Sequence, residues 1–274
     1  MRFLLSLSLA LLVAHNCAWA KDTNYPGGLA ILTFDKKSNK IPLVRYGTQE
    51  PAIVDAGKQW KVYIGIGLDH LPGEYLVYYR DQEPESEASF HRFLVKQVKF
   101  MTKPDKDTPL PIPRFPNSLS DLGFENTTPF LLPFSLPISA QWDGDFGSYL
   151  IGDSSNAIHQ QDFSYIDVGA NTEIMSPSTG IVSRIVKSEG NEKYSLTIDH
   201  GSGLFSIFNG LGSISVKIGH GLSRGEVFAY SPLSPKSGER APKPRTSKEH
   251  TIIWRTKLNN ELINPLILTK TGGI

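Results

Sequence analysis

Hydrophobic and polar positions alternate with period two through much of this chain, and stretches with a helical period of 3.6 are scarce. Period two is the mark of a strand with one buried face. Residues 29–34 form a strand candidate after the Gly27-Gly28 turn, and residues 41–46 and 58–68 form others. In the third, Trp60, Val62, Ile64 and Ile66 recur at every second position, which predicts a half-buried strand. Pro72-Gly73 is a turn, and residues 75–79 return from it as a hairpin arm. Residues 89–100 close the set, with Phe90, Val95 and Phe100 as expected core residues. Gly65-x-Gly67 runs into Asp69-His70-Leu71-Pro72 with no helix signal, so it reads as a tight strand end and not a phosphate loop.

The second half repeats this grammar of short strands and glycine turns. Residues 163–185 organise it: Asp167 ends a short apolar run, Gly169-Ala170-Asn171 makes a small-residue turn, and a Pro-containing turn at 176–180 opens a new alternating strand. With 24 Gly and 19 Pro and little helical patterning, the fold class is mainly β. Residues 26–102 are expected to form a small, sandwich-like N-terminal β domain. Residues 103–128 are a Pro-rich linker or an ordered strap anchored by Leu110, Ile112 and Phe115. Residues 129–274 form the second domain.

Residues 1–20 read as a signal peptide: Arg2, an apolar run to Val13, then Ala18-Trp19-Ala20 as a small-x-small cleavage site. The run is short for a bilayer span, so no membrane span is expected after cleavage. Cys17 is the one cysteine and leaves with this segment, so the mature chain has no disulfide and no thiolate metal site. Taking Arg2 from 28 Lys+Arg leaves 27, against 27 Asp+Glu. A neutral chain offers no case for nucleic acid or an anionic surface as partner. The expected location is the periplasm or the medium.

The order of motifs resembles the lysostaphin (LytM) family of zinc cell-wall peptidases. Trp60, Gly65, Ile66, Leu68, Asp69, Pro72 and Gly73 stand in the order of the β domain that precedes some of these enzymes. Phe134, Pro137 and Phe146-Gly147 are similar to the family's lead-in. Phe163 to Asp167, Gly180-Ile181-Val182, Asp199-His200-Gly201, Phe208 with Leu211, the paired turns at 216–219 and 223–227, and the closing Asn264-Pro265 follow its catalytic domain. The resemblance implies a duplicated-hybrid-motif barrel-sandwich and covers most of residues 26–268.

The resemblance also implies a zinc site, with ligands from His-x-x-x-Asp and from the second His of His-x-His, assisted by that motif's first His and by the His of Tyr-x-His-Leu. Here Phe163 stands for the first ligand, Ile253 for the third, and Thr251 and Gly210 for the assisting histidines; only Asp167 remains. Neither Phe nor Ile offers a lone pair, so no metal, no cofactor and no catalytic residue is expected. Asp167 is either a relic accepting hydrogen bonds or part of a rebuilt site. Candidates for relocated ligands are His159, Asp162, His200, His220 and His250. His250 is one position off Thr251, which turns it to the other strand face unless a bulge intervenes.

The expected function is that of a degenerate family member that binds peptidoglycan or regulates a cell-wall amidase through the old substrate groove. The groove candidates are Tyr165, Asp167, Phe208, Thr251 and Trp254. One alternative is an active zinc endopeptidase with relocated ligands; a second is a periplasmic scaffold. A serine elbow, a thiol nucleophile and a carrier-domain lysine are all missing from the sequence. The Pro-rich basic stretch 231–249 is a solvated loop or a docking arm for a partner or an anionic wall polymer.

Overall fold

The computed structural model describes residues 23–100, 102–104, 128–142, 145–151, 158–188, 193–233 and 250–269. The strap anchors, the leader and residues 234–249 lie outside them. The described chain is almost all antiparallel β, and its one helix is the four-residue α1 (Pro265–Leu268), capped by Asn264.

The N-terminal unit is two three-stranded sheets face to face. One has the order β1 (Leu29–Asp35), β4 (Gln59–Gly65), β3 (Ala52–Asp55); the other has β2 (Leu43–Arg45), β5 (Gly73–Arg80), β6 (Ser89–Val95). Phe34, Trp60, Val62 and Ile64 from the first interdigitate with Val44, Val77, Tyr79, Phe93 and Val95 from the second. The second predicted strand is shorter than expected, the last one stops at Val95, and β3 carries too weak a pattern to be read from sequence.

Two expectations fail here. Phe90 is 67% exposed, because it lies an odd number of residues from buried Val95 and so faces the other side of β6. The strand with alternating apolar positions is buried on both faces, not one. Its Trp60-Val62-Ile64 face fills the sandwich, while Tyr63 packs with Leu29 and Ala52 into the core of the second unit. The sheet β1-β4-β3 is therefore a middle layer.

The second unit is built on a seven-stranded sheet. Its path is β10 (Ser164–Asp167), β18 (Thr251–Leu258), β14 (Leu204–Leu211), β13 (Tyr194–Gly201), β12 (Gly180–Lys187), β16 (Gly221–Leu222), with β19 (Glu261–Ile263) folded back on β18. A three-stranded sheet, β11 (Glu173–Met175), β17 (Val227–Tyr230), β15 (Ser213–Ile214), covers one face. The core between them contains Ile166, Leu196, Ile198, Phe208, Ile252 and Trp254 from the large sheet and Ile174, Phe228 and Ala229 from the small one. Phe130, Phe134, Ile138 and Trp142 from the lead-in complete it. A further small sheet joins β7 (Thr102–Pro104), β8 (Tyr149–Ile151) and β9 (Ile158–Gln160). Gly219 and Gly225 take positive φ at the paired turns expected there.

The two units meet along the β18–β19 hairpin. Asn259 and Asn260 both have positive φ, as a two-residue type I′ turn requires. The turn places Leu258 opposite Glu261 at the end of β4. A Cβ on Gly65 would sit 2.6 Å from the Leu258 carbonyl oxygen, so glycine permits this approach. Asn264 N–H donates to the Gly27 carbonyl at 2.8 Å, and the Asn259 amide to that of Glu50 at 3.1 Å.

Candidate functional site

The candidate groove lies where β10 meets β18. In this antiparallel pair Tyr165 stands opposite Ile253 and Asp167 opposite Thr251, and on the other side of β18 Ile253 stands opposite Asn209 of β14. Directly opposed side chains share a face, so Tyr165, Ile253 and Asn209 form one row across the sheet and Asp167 and Thr251 begin the next. Alternation sends Ser164, Trp254 and Phe208 to the opposite face.

The groove candidates therefore separate. Tyr165, Asp167 and Thr251 come together on one face. Phe208 and Trp254 are fully buried on the other and stack at 5.9 Å in the core, so they belong to the packing and not to the groove. Thr251 and Trp254 are three residues apart, and an odd separation in a regular strand cannot share a face.

Each position that the family resemblance matches to a ligand or an assisting histidine carries other chemistry. Asp167 is exposed and accepts a hydrogen bond from the Thr251 hydroxyl. Phe163 is buried beneath the Arg255 guanidinium, 5.4 Å from its ring centre, with Tyr165 at its edge. Arg255 in turn holds Oδ1 of Asp162 at 2.9 Å through Nε and 2.5 Å through Nη2. This fixes a positive charge beside the first ligand position. Ile253 is 5% exposed. Gly210, at the position of the Tyr-x-His-Leu histidine, has φ +82°, and a Cβ there would collide with the Thr251 carbonyl oxygen. The backbones have closed together where a histidine would need room.

A catalytic zinc requires three protein donors and an open fourth position. Phe163, Asp167 and Ile253 supply one carboxylate, already engaged by a hydroxyl, so this set does not fit the ion. Among the described residues no group of three His, Asp or Glu side chains gathers around Asp167.

The alternative histidines have other partners. His200 is buried in the core face; its Nδ1 lies 2.8 Å from the Thr179 carbonyl oxygen and its Nε2 2.9 Å from Ser206 Oγ. Only an N–H can approach a carbonyl, so Nδ1 carries the proton and Nε2 accepts from Ser206. Ser206 Oγ also accepts from Trp254 Nε1 at 3.2 Å. Burial pulls the His200 pKa down to about 4, against a smaller upward effect of the Thr179 contact. His220 pairs with Glu226 at 3.0 Å on the glycine turn. His250 contributes its carbonyl oxygen to the Val168 N–H at 3.3 Å. The side chain of His159 is outside the described set.

Two residues of the groove face went unread in the sequence. Asn209 is buried, donates its amide to Ser195 Oγ at 2.6 Å and leaves Oδ1 without a hydrogen-bond partner. Arg255 is a cation next to the apolar run Ile252-Ile253-Trp254 in a strand that is buried throughout, and that misfit is the available signal. The rim is pinned by Ser231, whose hydroxyl donates to the Gly169 carbonyl at 2.6 Å and accepts from the Thr172 N–H at 2.8 Å.

No protein-family model and no curated protein matches the sequence. The architecture is that of a lysostaphin-type (LytM, M23) peptidase fold. A crystal structure from Pseudomonas aeruginosa assigned to peptidase M23 matches over 90% of this chain and 95% of its own, with a TM-score of 0.62 and 20% identity. The catalytic domain of lysostaphin from Staphylococcus simulans covers 56% of this chain and 98% of its own at 13% identity, TM-score 0.33. LytU covers 48% and 82% at 19% identity, TM-score 0.33. At these identities the likeness concerns the fold. Among the described residues no helix is long and apolar enough to cross a membrane.

Proposed function

We propose that this chain is an exported protein of the bacterial envelope that keeps the peptidase scaffold without its hydrolytic chemistry. In this reading the old groove binds peptidoglycan or engages a cell-wall hydrolase such as an amidase, and no zinc sits at Asp167. The observation that carries it is the state of the ligand positions: Phe163 under Arg255, Ile253 buried, Gly210 closed against β18, and Asp167 bonded to Thr251. The half-exposed Tyr165 ring and the exposed Asp167 carboxylate leave a surface suited to contact without bond cleavage.

The test uses the mature chain with isolated sacculi. The expected result is co-sedimentation that weakens in Tyr165→Ala and Asp167→Ala, with no release of soluble wall fragments with or without added zinc. A second arm adds a purified amidase and expects its rate to change. Zinc-dependent release that Asp167→Ala abolishes overturns the reading in favour of an active endopeptidase. Neither co-sedimentation nor any effect on an amidase leaves the scaffold reading in its place. Recovery of periplasmic protein with Lys21 at its N-terminus tests export.

A further inference from the structure

Away from the groove, three side chains that the groove reading does not use converge at the seam between the two units. Asp69 and His70 lie in the turn that follows β4; Glu261 follows the type I′ turn that joins β18 to β19. One donor atom from each lies within 4.8 Å of the others, and among the described residues this is the one such group. The groove is at the Thr251 end of β18 and this cluster lies beyond its Leu258 end. Seven strand steps separate those ends, about 23 Å.

We propose that Asp69, His70 and Glu261 form a binding site for a divalent transition-metal ion of the zinc class that clips the two units together. His70 Nδ1 is buried and has no hydrogen bond. Its neighbour is Asp69 Oδ1 at 3.5 Å, too long for a hydrogen bond. Two ligands on a tetrahedral zinc with bonds near 2.0–2.1 Å stand about 3.3 Å apart, so the spacing suits a shared ion.

The surroundings hold the His70 and Glu261 donors in place, while the Asp69 side chain is exposed. The His70 ring is flanked by Tyr46 at 6.0 Å and Tyr75 at 5.8 Å, which fixes its plane. Gln49 donates its amide to Glu261 Oε1 at 2.6 Å, leaving Oε2 for another partner, while the Gln49 Oε1 is itself buried without one. Gly67 makes the convergence possible: a Cβ there would collide with Glu261 Oε2 and lie 2.8 Å from Asp69 Oδ1.

One imidazole nitrogen with two carboxylates favours zinc, manganese or iron over calcium and magnesium, which prefer all-oxygen sites. Because the donors come from both units, an ion bound here stabilises the joined state over the separated one.

The test strips the full mature chain with a chelator, dialyses it against zinc chloride, and measures bound zinc by elemental analysis and melting temperature with and without zinc. Expected are one zinc per chain and a higher Tm on loading. Glu261→Gln and His70→Gln lose the ion and the Tm shift, while Asp167→Ala keeps both. Should either seam variant misfold by circular dichroism, zinc-edge anomalous scattering from wild-type crystals decides, with a peak between the three residues expected. Absence of zinc from the wild type, or a peak elsewhere, overturns the proposal and leaves the groove reading standing. Zinc that Asp167→Ala removes and Glu261→Gln retains overturns both.

Discussion

Acid should weaken this fold through His200, by an amount that its surroundings set. The folded-state pKa is about 4, against an ordinary value of 6.5. Above pH 6.5 the imidazole is neutral in both folded and unfolded chains and costs nothing. As the pH falls below 6.5 the unfolded chain takes up a proton that the folded chain refuses, so stability declines with pH until the folded histidine titrates near 4. One pH unit in that window corresponds to about 1.4 kcal/mol, so the contribution lost is about 2 kcal/mol by pH 5 and about 3 kcal/mol at pH 4 and below. The refusal has a structural cause. Nδ1–H already serves Thr179, and a proton on Nε2 would meet a Ser206 hydroxyl that now donates to it and accepts from Trp254. The assay is urea unfolding of wild type and His200→Gln at half-unit steps from pH 7.5 to 4. Exposed carboxylates and the other histidines titrate in both proteins and cancel in the difference. The gap between the curves should close by the stated amounts as the pH falls. Parallel curves, or an NMR titration placing His200 near 6.5, would refute the reasoning.

Trp254→Ala removes a fully buried ring packed against Phe134, Trp142 and Phe208, and should cost about 3–5 kcal/mol by chemical denaturation; a loss under about 1 kcal/mol would contradict its place in the core. Gly65→Ala pushes a methyl to 2.6 Å from the Leu258 carbonyl and should cost about 1–3 kcal/mol, with the loss falling on the contact between units as read by proteolysis there. In a Glu261→Gln background, which takes a donor from the seam cluster, Phe163→His and Ile253→His together should create chelator-sensitive zinc binding that Asp167→Ala removes, and binding should tighten when Arg255→Gln takes away the adjacent charge. No zinc in that Glu261→Gln background even with Arg255→Gln added would show that the positions were matched wrongly.

Period-two patterning carried most of the strands into view, and the family's turn order carried their arrangement. What it could not carry was which face of a strand meets which neighbour. Phe90 is expected inside with Val95, yet its parity relative to Val95 sends it outward. Phe208 and Trp254 were placed in the groove by motif position, when their offset from Thr251 and Tyr165 puts them in the core. Burial of β4 on both faces depends on a partner unit that no local window contains. The residue types at Phe163, Thr251 and Ile253 are legible without a structure, because they are read directly at motif positions. The closing of Gly210 against β18 was not, since it is a distance between backbones. The seam cluster was invisible for a further reason: Asp69 and His70 lie far from Glu261 in sequence, and locally they look like an ordinary strand end.

The position of β18 in its sheet bears on how the protein is made. This strand follows β10 and β14 in the chain, yet it lies between them and supplies both with a hydrogen-bonded neighbour. A chain that emerges N-terminus first has β10 waiting unpaired while more than eighty further residues arrive. The Gly65 end of β4 likewise waits for the hairpin that β18 and β19 form. Contacts so distant in sequence make for slow closure. Assembly of the large sheet thus waits for β18, and a product cut short before residue 251 leaves β10 and β14 without the strand between them. β18 thus acts as a completeness check on the strands before it.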